Sequence, residues 1–347
     1  MKPLTGVTIL DISRLLPGGF ASLLLADYGA RVIKVEQPGV GDYYRAVPSG
    51  AKLLGRQVEI INQGKEALAL DLKAPEGREI FLRLVKKADV VLENFRPGTL
   101  KKLKLDYPVL RRANRSILLC SITGLGQKGP RAGLAGHDLN YLGLSGLLHR
   151  IKDREGRYVI PDFQVVDLAA GYEASLRIVA HLLQTRKSRR GAWIDVSMVG
   201  AGHSLARLYT LEEGPSLADG RLARYDVYET ADGRWVTLAA LESKFWIRFC
   251  AEIGHPEWVK GTERFEVLAE EKKTMLREIF RSKTADEWIR LGAEKDLCLF
   301  LVEKIEDLDL EPQKAIPGLG QQTAKILRSI GIRPDQIRSL RSKRVIE

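Results

Sequence analysis

The chain has few cysteines, no long apolar run and no internal repeat. Its three cysteines, Cys120, Cys250 and Cys298, stand at unrelated spacings, which excludes a disulfide framework and a cysteine metal site. No segment approaches the roughly 18 apolar residues that a membrane-spanning helix needs. The first residues lack the basic and apolar segments of a secretion signal. We therefore expect a cytoplasmic protein that holds no metal and has no membrane partner.

What the chain does contain is enough apolar sequence for two folded domains. It has 347 residues, of which 45% are hydrophobic and 29% charged, and one hydrophobic core rarely grows to that size. The net charge of +11 is spread along the chain. Such a charge is compatible with nucleic acid, with an anionic small molecule or with solubility alone, so it does not choose among them.

The first half alternates short apolar strands with helical stretches, which is typical of parallel βαβ units. Past residue 214 the pattern changes to an antiparallel hairpin followed by helices, and two short helices end the chain. The predicted strands cover residues 7–11, 31–36, 68–72, 90–93, 116–123, 193–197, 225–230 and 235–238. The predicted helices cover residues 20–28, 75–87, 168–186, 245–253, 270–281, 285–292, 323–330 and 334–340.

These patterns predict an α/β protein with two domains. Residues 1–210, completed by residues 315–347, form a large domain with a Rossmann-like parallel sheet. Residues 211–222 are a linker, residues 223–302 form a smaller α+β domain, and residues 303–314 are a short return linker.

Two motifs point to functions that their surroundings do not favour. Residues 124–129 match the glycine pattern of dinucleotide-binding proteins, but Pro130 and Gly133 follow where a helix should begin. Residues 317–327 are similar to the hairpin and second helix of a DNA-binding helix-hairpin-helix element. The preceding segment is acidic and broken by Pro312, so we favour a glycine-bounded terminal helix and do not expect nucleic acid as a partner.

A histidine and an aspartate in two glycine-flanked segments are the main candidates for chemistry. His137 and Asp138 follow Gly136, and Asp167 lies in a second segment that ends at Gly171. An imidazole and a carboxylate could remove a proton from one side of a carbon and return one to the other side. The same residues could equally be ordinary polar packing.

Six further segments, taken with this pair, resemble the family III CoA-transferase superfamily, which includes α-methylacyl-CoA racemases. The resemblance runs from Leu4 to about Val302 and is weaker at the C-terminus. It implies an acyl-CoA substrate, no other tightly bound cofactor, and an interlocked homodimer. The segments are LTGVTILD (4–11), PGGFA (17–21), LADYGARVIKVE (25–36), ALDLK (69–73), ENFRPG (93–98) and RRGAWIDVSM (189–198).

The resemblance also implies which residues line the coenzyme A site. Lysines would meet the phosphates as point charges, an amide would contact adenine or pantetheine, and an aromatic ring would stack. The chain departs from the family at Gln37, where relatives commonly carry arginine; Arg31 or Lys34 could compensate, although neither stands at the matching position. The matching residues are Leu15, Leu70, Lys73, Asn94, Phe95 and Lys102.

Asp167 matches an aspartate that transferases and racemases of the superfamily share. This aspartate is a nucleophile in the transferases and an acid or base in the racemases. His137 favours the racemase branch, because transferases usually have an aromatic residue there. Glu242 matches a racemase carboxylate that supports the histidine, and we expect it from the partner subunit. Asp138 is expected to act mainly as a local hydrogen-bond acceptor. The predicted reaction is two-base proton exchange at the α-carbon of a 2-methylacyl-CoA; the alternative is CoA transfer between carboxylic acids through Asp167.

One segment is shorter than the resemblance implies. In relatives, additional residues usually separate the stretch that resembles residues 297–302 from the terminal segment that begins at Gly318. In this chain, residues 303–314 span that whole gap. We therefore expect a trimmed small domain with a more open pocket wall.

Overall fold

The computed structural model describes residues 1–46, 60–209, 220, 222–259, 270–310 and 314–347. The chain divides into two compact units, one of Met1–Thr210 with Pro312–Glu347 and one of Leu211–Glu311. Of the predicted linker 211–222, all but residues 220 and 222 lie outside the described residues. The predicted domain boundaries remain predictions.

The first unit is built on a six-stranded parallel sheet in the order β3-β2-β1-β4-β5-β6. This confirms the predicted α/β class with a parallel sheet. The strand order reverses between β1 and β4, and in such sheets ligands bind beyond the carboxyl ends of the strands at that point. The strands are β1 (Thr8–Asp11), β2 (Arg31–Glu36), β3 (Glu66–Ala69), β4 (Val90–Glu93), β5 (Leu118–Thr123) and β6 (Trp193–Ser197).

Helices cover both faces of this sheet, and a separate apolar core lies under each layer. Because successive side chains of a strand point to opposite faces, Ile9 belongs to a core with Ala174, whereas its neighbour Leu10 belongs to a core with Phe81. The helices that precede the second unit are α1 (Leu16–Asp27), α2 (Pro75–Val85), α3 (Thr99–Lys102), α4 (Tyr107–Ala113), α5 (Asp138–Leu144), α6 (Val165–Ser188) and α7 (Met198–Ala206).

The second unit contains a three-stranded antiparallel sheet and helices. The predicted hairpin is present as β7 (Tyr225–Glu229) and β8 (Trp235–Ala239), and β9 (Leu299–Leu301) pairs with β8. The sequence analysis did not predict β9. Its helices are α8 (Ser243–Glu252), α9 (Glu270–Phe280) and α10 (Ala285–Lys295). An aromatic core that includes Trp246, Phe280 and Trp288 lies between the helices and this sheet.

The C-terminal segment returns to the first unit as α11 (Thr323–Ser329) and α12 (Pro334–Ser342). The side chains of Gln322 and Thr323 accept hydrogen bonds from the backbone N–H groups of Ala67 (2.7 Å) and Ala69 (3.1 Å). The glycine-bounded turn therefore covers the otherwise open edge of β3. This contact supports the interpretation as a terminal packing helix and gives no support to a DNA-binding hairpin.

Two helices begin earlier than predicted, and both differences bear on the site. Helix α1 starts at Leu16 instead of residue 20, because Pro17 suits a first helical turn. Helix α6 starts at Val165 instead of residue 168, so Asp167 lies within its first turn. The prediction placed Asp167 before the helix and was wrong on that point.

Candidate active site

Two cavities open at the carboxyl edge of the parallel sheet. The first, of about 320 Å³, lies beyond β1 to β4, and its lining includes Arg14, Tyr43 and Lys73. The second, of about 490 Å³, lies beyond β1, β4 and β5, and its lining includes His137 and Asp167. Both cavities are lined by Phe95. A ligand with two ends could thus occupy both.

The catalytic candidates His137 and Asp167 line the same cavity from the starts of two helices. His137 is exposed and immediately precedes α5, where its backbone N–H donates to Asn140 Oδ1 at 3.0 Å. Asp167 is the third residue of α6 and is half-buried. The structure therefore brings together an imidazole and a carboxyl group that lie thirty residues apart in the sequence.

Asp138 acts as a hydrogen-bond acceptor at the start of α6. Its Oδ1 accepts the backbone N–H groups of Val166 (2.7 Å) and Asp167 (2.9 Å). A carboxylate is favourable there because the first amides of a helix lack partners within the helix and the helix dipole is positive at this end. These two amide N–H groups are therefore already engaged by Asp138.

The carboxyl group of Asp167 has an unusual affinity for its proton. Burial and, to a smaller extent, the nearby charge of Asp138 together raise its pKa to about 7. Near neutral pH the group therefore exists in both protonated and ionised forms. A group with this property can donate or accept a proton in one reaction cycle.

The ring of Tyr141 fixes the loop that carries His137. Its hydroxyl donates to the carbonyl oxygen of Gly136 at 2.8 Å. A Cβ at Gly124 would lie 2.3 Å from this ring, and one at Gly136 would lie 2.8 Å from it, so both positions require glycine. The glycine-rich segment after β5 thus accommodates Tyr141, and no helix begins in residues 124–137, as a dinucleotide site would need.

Five of the six predicted coenzyme A residues line the cavities. Leu70 and Lys73 line the first, Leu15 and Asn94 line the second, and Phe95 lines both. Lys102 lies exposed in α3 and lines neither cavity.

Asn94 holds the backbone of the loop after β1. Its Oδ1 accepts the N–H of Arg14 at 2.7 Å, and its Nδ2 donates to the carbonyl oxygen of Arg14 at 2.6 Å. We predicted this amide as a contact for adenine or pantetheine. The observed hydrogen bonds make it a support for the cavity wall, and its contact with coenzyme A stays a prediction.

A buried group of charges lies beneath this loop. Asp11 Oδ1 accepts from the backbone N–H of Ser13 at 2.9 Å, and Lys34 Nζ lies 3.6 Å from Asp11 and 3.5 Å from Asp42. Burial raises the pKa of Asp11, but the charges of Lys34 and Lys65 outweigh it and leave that pKa lowered. Burial lowers the pKa of Lys65 to about 8. The loop is therefore anchored from below by ionic groups.

Neither residue expected to compensate for Gln37 faces the first cavity. Arg31 forms an ion pair with Glu66 at 2.7 Å, and neither side chain lines the cavity. Lys34 is buried, and its Nζ donates a hydrogen bond to the carbonyl oxygen of Ser13. Gln37 itself lines the cavity. Among the residues that line it, the basic side chains are Arg14 and Lys73, and Arg14 was not predicted.

Glu242 belongs to the second unit, where it is exposed just before α8. Its support of His137 remains a prediction. In the described part of the chain no cluster of side chains is suited to a metal ion. Over the same residues, no helix is long and apolar enough to cross a bilayer.

Sequence reasoning missed four residues of the site. Asn140 could have been found, because a polar residue three positions after a helix-initiating residue often accepts its backbone N–H. Arg14 directly follows a strand that ends at the ligand edge, which is a weaker indication. Tyr43 contacts Arg14 in a distant segment, Tyr141 contacts the glycine-rich segment just before it, and neither has a local sequence pattern.

A family model described as CoA-transferase family III matches residues 4–325. This chain belongs to CoA-transferase family III. The assignment agrees with the parallel sheet and with the two cavities at its carboxyl edge.

Relatives within CoA-transferase family III include both racemases and transferases. The chain is 29% identical to the alpha-methylacyl-CoA racemase of Homo sapiens over 390 aligned positions, covering 99% of this chain and 97% of that protein. It is 34% identical to the succinyl-CoA:glutarate CoA-transferase of Mus musculus, covering 86% of this chain and 70% of that protein. The racemase alignment has more positions than the chain has residues, so the human protein carries insertions relative to this one.

Solved structures support the same family fold. A Mycobacterium tuberculosis protein matches with a TM-score of 0.77 and 28% identity, covering 93% of this chain and 98% of that one. A CaiB/BaiF family protein from Brucella suis matches with a TM-score of 0.80 and 23% identity, covering 95% and 99%, and supports the fold alone.

Proposed function

We propose that this family III protein is a racemase or epimerase that inverts the α-carbon of a 2-methylacyl-CoA by two-base proton exchange. The observation that carries the proposal is the shared cavity of His137 and Asp167, with the pKa of Asp167 raised to about 7. A nucleophilic aspartate works as the carboxylate. An aspartate that is partly protonated at neutral pH is better suited to give a proton.

In the proposed reaction His137 and Asp167 act on opposite faces of the α-carbon. The neutral imidazole of His137 removes the α-proton, and the C–H electrons pass to the thioester oxygen as an enolate. The protonated carboxyl group of Asp167 then delivers its proton to the other face, leaving an ionised aspartate and a protonated histidine. In the opposite direction the two residues exchange roles. Coenzyme A is part of the substrate in this scheme.

A CoA-transferase is the alternative, favoured by the 34% identity to succinyl-CoA:glutarate CoA-transferase. The ionised form of Asp167 would then attack the acyl-CoA carbonyl and displace the CoA thiolate, forming a mixed anhydride. The thiolate would return to the aspartyl carbonyl of that anhydride, releasing the donor acid as a carboxylate and giving an aspartyl-CoA thioester. The acceptor carboxylate would then displace the thiolate to form a second anhydride, and the thiolate would attack the acceptor carbonyl of that anhydride, giving the new acyl-CoA and freeing Asp167.

The two functions separate in one experiment. The protein is incubated in D2O with several acyl-CoAs, with and without a free carboxylate acceptor. Deuterium at the α-carbon without an acceptor supports the racemase. Transfer of CoA to the acceptor without α-deuteration, together with a hydroxylamine-trapped adduct at Asp167, would refute it in favour of the transferase.

Asp138→Asn should lower the pKa of Asp167 in this reaction. The variant removes a charge that raises that pKa, yet its side-chain oxygen can still accept the N–H groups of Val166 and Asp167. In the direction in which Asp167 donates, the rate falls as this carboxyl group ionises, so the falling limb of the pH–rate profile should move to lower pH. Asp162→Asn removes an equal charge from an exposed neighbouring position and should leave the profile unchanged. A profile that moves to higher pH, or does not move, contradicts the assignment.

We also propose a homodimer, supported by an apolar stripe on α6. Tyr172, Leu176 and Leu183 lie on one face of this helix and are 60%, 70% and 60% exposed. Exposed apolar surface of this kind marks interfaces. Leu176→Glu should weaken dimerisation at least about tenfold, measured by light scattering over a dilution series, whereas Gln184→Glu on the same helix should not. A wild-type protein that is monomeric throughout the series would rule out the dimer.

A further inference from the structure

A guanidinium group lies close to two aromatic rings in the first cavity. The Cζ of Arg14 is 4.8 Å from the ring centroid of Tyr43 and 5.5 Å from that of Phe95. Its Nη1 donates to the Tyr43 hydroxyl at 2.7 Å. All three residues line this cavity, and within the described residues no carboxylate forms an ion pair with Arg14. The cavity therefore presents a positive charge that its own walls leave uncompensated.

The position of this arginine is fixed by its backbone. Asn94 bonds both the N–H and the carbonyl group of Arg14. The next residue, Leu15, has φ 61° and ψ −155°, a conformation that non-glycine residues rarely adopt and that persists only where the surroundings impose it. Its N–H donates to both carboxylate oxygens of Asp42, at 3.1 and 3.2 Å. Residues held in this way concentrate at ligand sites.

The remaining charges around the cavity are already engaged or lie at its rim. Of the acidic residues in its wall, Glu36 pairs with Arg45 at 2.7 Å, and Asp42 lies 3.5 Å from Lys34. The third, Asp71, accepts the backbone N–H of Lys73 at 2.9 Å. Lys73 is exposed at the rim. A positive group flanked by rings suits a ligand that combines a planar base with a phosphate, because rings stack on bases and guanidinium binds phosphate through paired N–H donors.

We propose that Arg14 is the residue that recognises the nucleotide end of coenzyme A in this chain. Its guanidinium supplies the positive charge for a phosphate, and the flanking rings of Tyr43 and Phe95 supply the stacking surface for adenine. Arg14, in the loop after β1, thus supplies the positive charge that Gln37, at the end of β2, lacks. The inference rests on the proposed function in one respect, that a CoA thioester is the substrate.

The test is calorimetric titration of the full-length chain with CoA, 3′-dephospho-CoA and pantetheine. Arg14→Ala should weaken CoA binding by about 10- to 100-fold, as expected for loss of a hydrogen-bonded charge, and should leave pantetheine affinity unchanged. Arg14→Lys should retain part of the CoA affinity. Arg31→Ala removes the same charge from an exposed pair outside the cavity and should bind all three ligands as the wild type does.

The comparison among ligands decides which part of the nucleotide Arg14 contacts. If the wild type prefers CoA to 3′-dephospho-CoA and Arg14→Ala abolishes that preference, the charge meets the 3′-phosphate. If Arg14→Ala lowers the affinities for CoA and for 3′-dephospho-CoA by the same factor but leaves the pantetheine affinity unchanged, the charge contacts the diphosphate or the base. The proposal also stands in that case. The proposal is overturned if Arg14→Ala lowers the affinities for all three ligands by the same factor, or if it leaves the CoA affinity unchanged.

Failure of this inference is distinguishable from failure of the proposed function. If CoA binding depends on Arg14 but no acyl-CoA gains deuterium at its α-carbon, the role of Arg14 in CoA recognition is supported and the proposed racemase activity is refuted. If the wild-type chain binds no CoA, both the role of Arg14 and the proposed function are refuted. Superimposable thermal melting curves of wild type and Arg14→Ala would show that the variant is folded, as expected for a side chain at a cavity surface.

Discussion

Asparagine in place of Asp167 should reduce α-proton exchange in D2O by about 10²- to 10⁴-fold, the usual contribution of a positioned acid or base. The amide has nearly the same shape as the carboxyl group but can neither deliver nor remove the α-proton. Deuterium incorporation into a 2-methylacyl-CoA, followed by mass spectrometry, measures the effect. Asp162→Asn, an exposed replacement of the same type, should exchange at the wild-type rate.

The same variant should be more stable than the wild type at alkaline pH. The pKa of Asp167 is raised from 3.8 to about 7 in the folded protein, so ionisation opposes folding increasingly as the pH rises between those values. The full shift corresponds to about 4 kcal/mol, and the partial exposure of the side chain reduces the expected gain to on the order of 2 kcal/mol at pH 8. At pH 4 the gain should be absent. A variant that loses both activity and stability at pH 8 would indicate a structural role instead.

His137→Gln should lower exchange by a similar factor, because the amide cannot accept the α-proton. The matched control is His149→Gln, since His149 is also exposed but its Nδ1 lies 3.2 Å from the Tyr158 hydroxyl, outside the second cavity. If His137→Gln abolishes exchange of one epimer and Asp167→Asn that of the other in single-turnover measurements, each residue serves one face. Undiminished exchange in either variant would contradict the two-base mechanism.

Lys34→Met should lower the free energy of unfolding by about 3–5 kcal/mol, the typical cost of leaving a buried charge uncompensated. The ammonium group lies 3.6 Å from Asp11 and 3.5 Å from Asp42, and all three side chains are almost fully buried. Burial lowers the pKa of Lys34, but Asp11, Asp42 and Glu36 outweigh it and leave the pKa raised. The amine therefore stays charged in the folded protein. Urea unfolding followed by circular dichroism measures the loss.

A matched control for Lys34 lies three residues earlier on the same strand. Arg31→Met also removes one positive charge from β2, but its pair with Glu66 is partly exposed, at 43% and 24%. Exposed pairs contribute at most about 1 kcal/mol, so this variant should lose much less stability. Equal losses in the two single variants would contradict the buried network.

The elements whose signals are local could be predicted from the sequence. Alternating apolar strands and helical stretches predicted the parallel sheet, and the hairpin of β7 and β8 followed from two alternating runs around a turn. The strand β9 was missed because three residues are too few for a pattern. The start of α6 was misplaced because its capping carboxylate comes from Asp138, in a distant segment, and not from Gln164 beside it.

The sequence by itself determined which residues could carry the chemistry, because motif order and residue type identify a family without reference to space. His137, Asp167 and most of the coenzyme A residues were named in that way. Only the tertiary structure decided which charge faces the first cavity. Lys34 lies inside a strand and points into a buried network, whereas Arg14 follows the carboxyl end of β1, where the loop reaches the ligand edge of the sheet. The direction of a side chain depends on the packing of distant segments, and no local sequence pattern contains it.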